Sequence, residues 1–357
     1  MDTFVQTIIE RIKAARSGRT PLAIHGGNSK MFYGGAIRGD ALDMRTYAGI
    51  IDYEPKELVL TVRAGTAIAE IEATMAAQNQ MLPFEPPYFG VRDNPQATIG
   101  GSVATGLSGP RRPYTGAVRD FVLGTRIISG KGEDLRFGGR VIKNVAGYDV
   151  SRLMTGAMGT LGVLLDLSFK VLPKPTEEMT LRVEMDEATA IRRLNEWAGK
   201  PLPISATSWY DGVAMLRLSG AGASVRAAYE KLGGEVVVAS QASEFWRDLR
   251  DHRAEFFAGA EPLWRLSVPS TRPPLPLNLP QWIEWGGALR WVRGVTDAKA
   301  LRASVEAAGG HVTLFRHGDK SAGVFHPLQP VLARVHRNLK AAFDPGNILN
   351  PGRMDNF

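Results

Sequence analysis

The chain has 357 residues, which at roughly 150 per domain sets an expectation of about two domains. Hydrophobic residues make up 44% and charged residues 22%, enough for a sizeable core, and the absence of cysteine excludes disulfides, a cysteine-type zinc site and any iron–sulfur cluster held by this chain alone. The net charge is +7, of which +5 falls in residues 1–174 (21 Lys+Arg against 16 Asp+Glu), but the basic residues are scattered singly without interleaved aromatics, which argues against nucleic acid.

In chain order, residues 3–16 read as an amphipathic helix, with Phe4, Ile8 and Ile12 recurring at i+4 and Val5 and Ile9 beside them. Glu10, Arg11 and Lys13 interrupt any apolar stretch there, so no signal peptide is expected. No run reaches the ~18 apolar residues of a membrane-spanning helix, so membrane contact, if any, is peripheral. Leu22–His25 reads as a short strand ending in Gly26-Gly27, and Leu58–Arg63 as an alternating strand. Thr66 is expected to cap a helix running through Gln78, with Ile68, Ile71 and Met75 on one face. Phe121–Ser129 and Asp134–Phe137 read as a hairpin turning at Gly130-Lys131-Gly132, and Leu161–Val171 as a further strand.

Pro173-Lys174-Pro175 marks a linker. Beyond it, Thr180–Met185, Met215–Ser219 and Glu235–Ala239 are strand-like, and Ala188–Trp197 and Ser224–Leu232 are helical. That alternation suits an α+β unit with an antiparallel sheet. Ser270–Pro280 reads as a proline-rich loop, and Val331–Phe343 as a helix stopped by Asp344-Pro345-Gly346-Asn347.

Glycine is the clearest bias: 39 in all, roughly 11% against a usual 7% or so, with 23 of them in the first 174 residues. They cluster at Gly26-Gly27, Gly34-Gly35, Gly100-Gly101, Gly106, Gly109 and Gly156-x-x-Gly159-x-x-Gly162. Such groups suit backbone lining an extended anion, or ordinary turns. Neither a phosphate-binding G-x-x-x-x-G-K-[ST] loop nor a dinucleotide G-x-G-x-x-G follows a strand. Four of the six histidines, His311, His317, His326 and His336, fall in the C-terminal third and read as solvated loop residues more readily than as metal ligands.

Four segments taken together say more. They are Pro21-Leu-Ala-Ile-His25-Gly-Gly-Asn-Ser-Lys30, Ala97-Thr-Ile-Gly-Gly-Ser-Val-Ala-Thr-Gly106, Val118-Arg-Asp-Phe-Val-Leu-Gly124, and Arg140-Val-Ile-Lys-Asn-Val-Ala-Gly-Tyr-Asp149 running on to Gly156-Ala-Met-Gly-Thr-Leu-Gly-Val163. In this order they resemble the vanillyl-alcohol-oxidase (PCMH) type of FAD-binding domain, and the tail Phe343-Asp-Pro-Gly-Asn-Ile-Leu-Asn-Pro-Gly352 resembles that family's ending. Within the family, the long run from Ala97 to Glu133 is similar to the E subunits of bacterial glycolate oxidases.

The resemblance implies an α+β fold: a two-subdomain FAD-binding domain over 1–174, a smaller α+β cap with an antiparallel sheet over 175–330, and a C-terminal helix and tail, 331–357, packing back on the first domain. It implies FAD as cofactor, held at Gly26, Gly27, Asn28, Ser29, Lys30, Thr98, Gly100, Gly101, Ser102, Thr105, Ser108, Gly159, Thr160, Gly162 and Val163. Two glycine-rich turns would offer backbone N–H groups to the pyrophosphate, with hydroxyls of Ser29, Thr98, Ser102 and Thr105 as further donors. Relatives that tether flavin often carry histidine where Asn28 stands, so the FAD is expected to be non-covalent.

Metal-dependent relatives carry a motif of the type H-x-G-D-G-N-x-H. Here the comparable stretch, His317-Gly-Asp319-Lys-Ser321 on to His326, is degenerate, so no metal is expected. His326 and Arg316 are the candidate base and carboxylate clamp for a small 2-hydroxy acid. The implied partners are a larger flavin-bearing D subunit and an iron–sulfur F subunit, since a chain without cysteine must pass its electrons on. The implied location is cytoplasmic, or peripheral on the cytoplasmic face of the inner membrane through the complex. Three readings stay open: an FAD-binding subunit of glycolate oxidase, a free-standing FAD-dependent 2-hydroxy-acid dehydrogenase, and a non-catalytic structural subunit of the same fold.

Overall fold

A computed structural model describes residues 3–90, 96–139 and 148–354 and starts with helix α1 (Thr3–Gly18). Its buried face is Val5, Ile8, Ile9, Ile12 and Ala15, the stripe read from the sequence except that Phe4 is only partly buried and Ala15 joins it. Strands β1 (Leu22–His25) and β2 (Asp40–Asp43) pair in parallel and share a core cluster with α1, Val163, Leu165 and Ile348. Then come β3 (Ile50–Glu54), β4 (Val59–Arg63), α2 (Ile68–Ala76), the two-residue β5 (Gln80–Met81) and α3 (Ile99–Thr105). The short helices α4 (Arg112–Thr115) and α5 (Val118–Phe121) lead into β6 (Val122–Ile128) and β7 (Asp134–Gly138), followed by α6 (Val150–Met154), β8 (Val163–Lys170) and β9 (Leu172–Pro173). Five strands form an antiparallel sheet in the order β3-β4-β8-β6-β7, packed through Val62, Leu167 and Phe169 against α2 and α3.

The hairpin of β6 and β7 stands as read, but two details differ. Thr66 does not cap α2. Ala67 holds the N-cap position, while the Thr66 hydroxyl donates to Arg63 O at 2.6 Å and accepts from Gly49 N at 2.9 Å, fastening the β3–β4 hairpin instead. The run Thr98–Gly106 is not a turn but helix α3, which Thr98 caps and which Gly106 ends in the left-handed region at φ 67°. The motif residues Arg140–Gly147 lie outside the described residues.

The second half holds β10 (Glu177–Glu184), α7 (Glu187–Ala198), β11 (Ile204–Tyr210), β12 (Val213–Gly220), α8 (Gly222–Leu232), β13 (Glu235–Val237) and α9 (Ala239–Arg250). It continues with β14 (Leu263–Ser267), β15 (Gln281–Glu284), β16 (Leu289–Arg293), α10 (Ala298–Ala307), β17 (His311–Arg316) and α11 (Pro330–Phe343). Eight strands make one antiparallel sheet, β13-β10-β12-β11-β15-β16-β14-β17, so this half carries the larger sheet of the molecule. Ala239 belongs not to a strand but to α9, whose Ala242, Trp246 and Leu249 repeat at helical spacing and are buried.

Strand alternation decides what each face of this sheet meets. Leu181, Leu216, Ile283 and Val292 face α7, α8 and α10. Met215, Trp282, Trp291 and Phe315 point the other way, into an aromatic cluster with Trp246, Phe257, Tyr33 and Phe89. Tyr33 and Phe89 come from the first half of the chain, so this cluster joins the two halves. After α11 the tail runs back to β1: Leu22 N donates to Ile348 O at 2.7 Å and Asn350 N to Leu22 O at 3.0 Å.

Candidate binding cleft and adjoining cavity

Strand β1 ends at His25, and the chain turns through Gly26, Gly27 and Asn28. Asn28 sits at φ 58° with its Oδ1 3.1 Å from His25 Nδ1, so it is a turn residue as well as a wall of the cleft described next. A Cβ on Gly27 would stand 1.4 Å from the Gln96 carbonyl oxygen, which means the turn rests directly on the segment leading to α3. That contact brings together two segments about seventy residues apart. Gly100 backs onto Ala64, where a Cβ would come within 2.7 Å. At Gly101 a Cβ would meet only Thr98 Oγ1, at 3.2 Å.

The cleft between these pieces is lined by Gly26, Gly27, Asn28, Ser29, Lys30, Thr98, Gly100, Gly101, Thr105, Gly159 and Gly162. Four residues of the expected set stand elsewhere. Val163 is fully buried in the core under α1, and Ser102 is buried with its hydroxyl unpartnered among the described residues. The Ser108 hydroxyl accepts from Val118 N at 3.0 Å, and that of Thr160 donates to Ala157 O at 2.7 Å. Within the cleft the Thr105 proton is committed to Gly101 O at 2.9 Å, and Thr98 Oγ1 accepts from Gly101 N at 3.2 Å.

Sequence reasoning missed two tail residues. Asn350 lines the cleft, its Oδ1 accepting from Ile24 N and its Nδ2 donating to Met158 O, both at 2.8 Å. Arg353 lines it too, and donates to Gly35 O at 2.6 Å and to Lys30 O at 3.2 Å. The signal was the end of the tail motif, just past Gly352.

Two cations border the cleft. Burial pushes the Lys30 ammonium down to about 7, with Asp251 opposing the shift and Arg250 adding to it. Burial lowers Arg353 to about 10, against the pull of Tyr33. Two desolvated cations, a backbone turn and an uncovered Gly101 suit an extended ligand carrying phosphate.

Thr105 also lines a second cavity of about 310 Å³ between the two halves of the chain. Tyr33, Phe89, Ser108 and Arg112 come to it from one side, and His252, Arg265, Glu284, Trp285, Trp291 and Phe315 from the other. Strand parity places Arg265 on the Leu263 face of β14 and Glu284 on the Trp282 face of β15, toward the aromatic cluster. Burial raises the Glu284 carboxyl to about 7, though Trp291 Nε1 donates to it at 2.7 Å and Arg265 lies near. His252 is held neutral, chiefly by burial and then by Arg316 and Arg265, with its ring 4.1 Å from that of Phe257.

The structure does not bring Arg316 and His326 into this cavity. Arg316 stacks on the Phe32 ring at 4.4 Å and the Phe89 ring at 5.7 Å. His326 lies beyond β17, where its charge helps lower the pKa of His311 after burial and Arg265. Lys320 donates to Phe32 O and Gly34 O, both at 2.8 Å, clasping the loop after β1. Among the described residues no three His, Asp or Glu side chains are gathered as metal ligands.

The FAD binding domain family matches residues 4–138. The chain is 48% identical over 351 residues to glycolate oxidase subunit GlcE of Escherichia coli (strain K12), covering 98% of this chain and 97% of that one. It is 31% identical over 132 residues to glycolate oxidase subunit GlcD of Bacillus subtilis (strain 168), covering 37% of this chain and 27% of that one. Among solved structures, p-cresol methylhydroxylase with substrate bound superposes with a TM-score of 0.69 at 16% identity, over 98% of this chain and 87% of the other, a likeness of fold.

Proposed function

From the premise that this chain belongs to the glycolate oxidase E-subunit family, FAD-linked oxidoreductase subunits, we propose that it holds FAD non-covalently in the cleft between the β1 turn and α3. The observation that carries this is Gly101, where a side chain would meet only Thr98 Oγ1, so its absence leaves room in the cleft for a phosphate to lie beside α3. Lys30 and Arg353 balance the pyrophosphate charge. Asn28 has no ring nitrogen to bond the flavin. Bound FAD supplies the acceptor for the two electrons removed from a CH–OH carbon.

The substrate is a small 2-hydroxy acid, with glycolate giving glyoxylate. The electrons leave through a larger flavin-bearing D subunit and an iron–sulfur F subunit, for no cysteine in this chain can ligate a cluster. Residues 1–174 serve as the FAD-binding domain, 175–330 as the cap, and 331–357 as the returning tail. The complex works in the cytoplasm, held peripherally at the inner membrane by its other subunits. No helix among the described residues is long and apolar enough to cross a membrane.

The test is a flavin count on the purified chain, followed by acid denaturation and filtration. FAD in the filtrate, near one equivalent, is the expected result. Flavin retained on a peptide would overturn the non-covalent binding, and a chain that neither carries nor takes up FAD would overturn the flavin site. Purification of the native complex should bring down the D and F subunits together with this chain.

A further inference from the structure

The cavity between the two halves contains a cation, Arg265, whose guanidinium feels the Glu284 carboxyl at a distance but is not hydrogen-bonded to it. Arg265 is half-buried and makes no hydrogen bond or ion pair among the described residues; its guanidinium lies over the Trp285 ring, 5.2 Å from the centroid. Arg112 lies over the same ring at 4.5 Å, so a second positive charge sits beside it. Arg250, a further cation of the wall, is already bound by Asp251 at 3.0 Å. The carboxyl of Glu284 is the acid that faces these groups, and one of its oxygens is taken by Trp291 Nε1. Among the described residues the fully buried arginines have acceptors: Arg111 and Arg217 pair with Glu85, and Arg290 donates to the carbonyls of Gly287 and Pro273; Arg316, half-buried like Arg265, lies against the Phe32 and Phe89 rings and outside this cavity. Desolvating a guanidinium without a partner is costly, so its retention at a cavity wall marks the place of an anion.

The shape of the site narrows the anion. A guanidinium presents a planar fork that matches a carboxylate. A volume of about 310 Å³ walled by Tyr33, Phe89 and Trp291 admits a small ligand and offers an apolar surface to its carbon atoms. Glu284 gives the far end of the ligand a group that can take a hydrogen bond from a hydroxyl. Thr105 lines both this cavity and the cleft assigned to FAD, so a ligand here lies next to that cofactor site.

We propose that this cavity binds a small 2-hydroxy carboxylate, with Arg265 as the anchor of its carboxylate and Glu284 as the hydrogen-bond acceptor for its hydroxyl. The assignment rests on the reading of the chain as a subunit acting on 2-hydroxy acids, and it places recognition on β14 and β15 rather than on Arg316 and His326.

Trp285 and Trp291 stand in the wall and report on occupancy by their fluorescence. The probe is 2-hydroxyisobutyrate, which lacks a Cα hydrogen and cannot be oxidised, titrated into the full-length chain with FAD content measured separately by absorbance. Saturable quenching is expected. Arg265→Gln should weaken binding about ten-fold or more while leaving FAD content and melting temperature unchanged, and Arg265→Lys should recover part of the loss. Glu284→Leu, which removes the acceptor, should erase the preference for 2-hydroxyisobutyrate over isobutyrate. Arg316→Gln should bind as the parent does. Absence of saturable binding, equal binding by Arg265→Gln, or loss with Arg316→Gln alone would each overturn the proposal. A chain that binds the probe but takes up no FAD would keep this site and sink the flavin reading, and the reverse result would do the opposite.

Discussion

Gly27 and Gly101 belong to the same pair of motifs, yet they are glycine for different reasons. At Gly27 a Cβ would overlap the Gln96 carbonyl, so Gly27→Ala forces the two segments of the cleft apart. At Gly101 a side chain meets only the end of Thr98 and otherwise projects into open cleft. Gly27→Ala should therefore fail to give folded soluble protein. Gly101→Leu should fold and melt within a few degrees of the parent but lose FAD affinity by about ten-fold or more, read by retained flavin absorbance. A Gly101→Leu chain that keeps its flavin would remove this turn from the phosphate site. Lys30 adds a pH dependence. In the ligand-free chain its ammonium titrates at about 7, against 10.5 when unfolded, so between these values the unfolded chain binds more protons. This group's contribution to stability thus rises as pH climbs through that window. A pyrophosphate beside Lys30 favours the protonated form, so FAD binding takes up a proton there. FAD affinity should fall as pH rises from about 7 to 9, by at most about ten-fold per unit for one proton, and Lys30→Met should flatten the profile at lower affinity. An unchanged slope in that variant would place the titrating group elsewhere.

Among the elements, those with one buried face and one wet face were legible. Helix α1, the β6–β7 hairpin and helices α7 and α8 follow from the hydrophobic period, whereas β4 and β8, buried at nearly every position, were legible as apolar runs, and α11, which buries no residue fully, by the stop that follows it. Others carried no such period. Only Leu42 of β2 is buried, so the strand shows almost no pattern, and β15 (Gln281–Glu284) is buried on both faces, which removes the alternation. Helix α3 was hidden because paired glycines mark a turn in most contexts, whereas here the Thr98 cap starts a helix. The tail was legible as a family ending, but its work at the cleft was not. Asn350 ties β1 to the Met158–Gly159 turn through both ends of one amide, and a Cβ on Gly159 would come 2.8 Å from its Nδ2. Asn350→Ala should cost about 2–6 kcal/mol, since it leaves a part-buried donor and a buried acceptor unmet at about 1–3 kcal/mol each. Urea unfolding should register the loss, and FAD affinity should drop with it. A variant that lost stability but kept full affinity would show that the tail staples the fold without shaping the cleft.

At the scale of the molecule, most residues of the cleft proposed for FAD sit in contiguous motifs and could be named from the sequence. The second cavity could not. Arg265 and Glu284 are single polar positions within strands, and nothing local says which face of an eight-stranded sheet will meet Tyr33 and Phe89. That meeting is fixed in part by an ion cluster at the junction of the halves. Glu85, four residues past β5, accepts from Arg111 N at 2.8 Å and pairs with Arg217 of β12 at 2.8 Å, while Arg111 also reaches Glu178 of β10. Arg111 and Arg217 are 5% and 6% exposed, so their charges are largely withdrawn from water. Burial alone would raise the Glu85 carboxyl, but Arg217 and Arg111 hold it below the usual range. The cluster thus stabilises the molecule above the ordinary carboxylate pKa and loses that contribution as pH falls through the lowered value. Glu85→Ala should be severe, about 3–5 kcal/mol, because it strands Arg217 while Arg111 keeps Glu178. A double variant, Glu85→Met with Arg217→Met, should recover most of that loss, since it removes both buried charges and leaves apolar volume against Trp246, over whose ring Arg217 lies at 5.1 Å. Urea denaturation at neutral pH measures both. If the double variant is no more stable than Glu85→Ala, the cost lies in the shape of the junction and not in the stranded guanidinium.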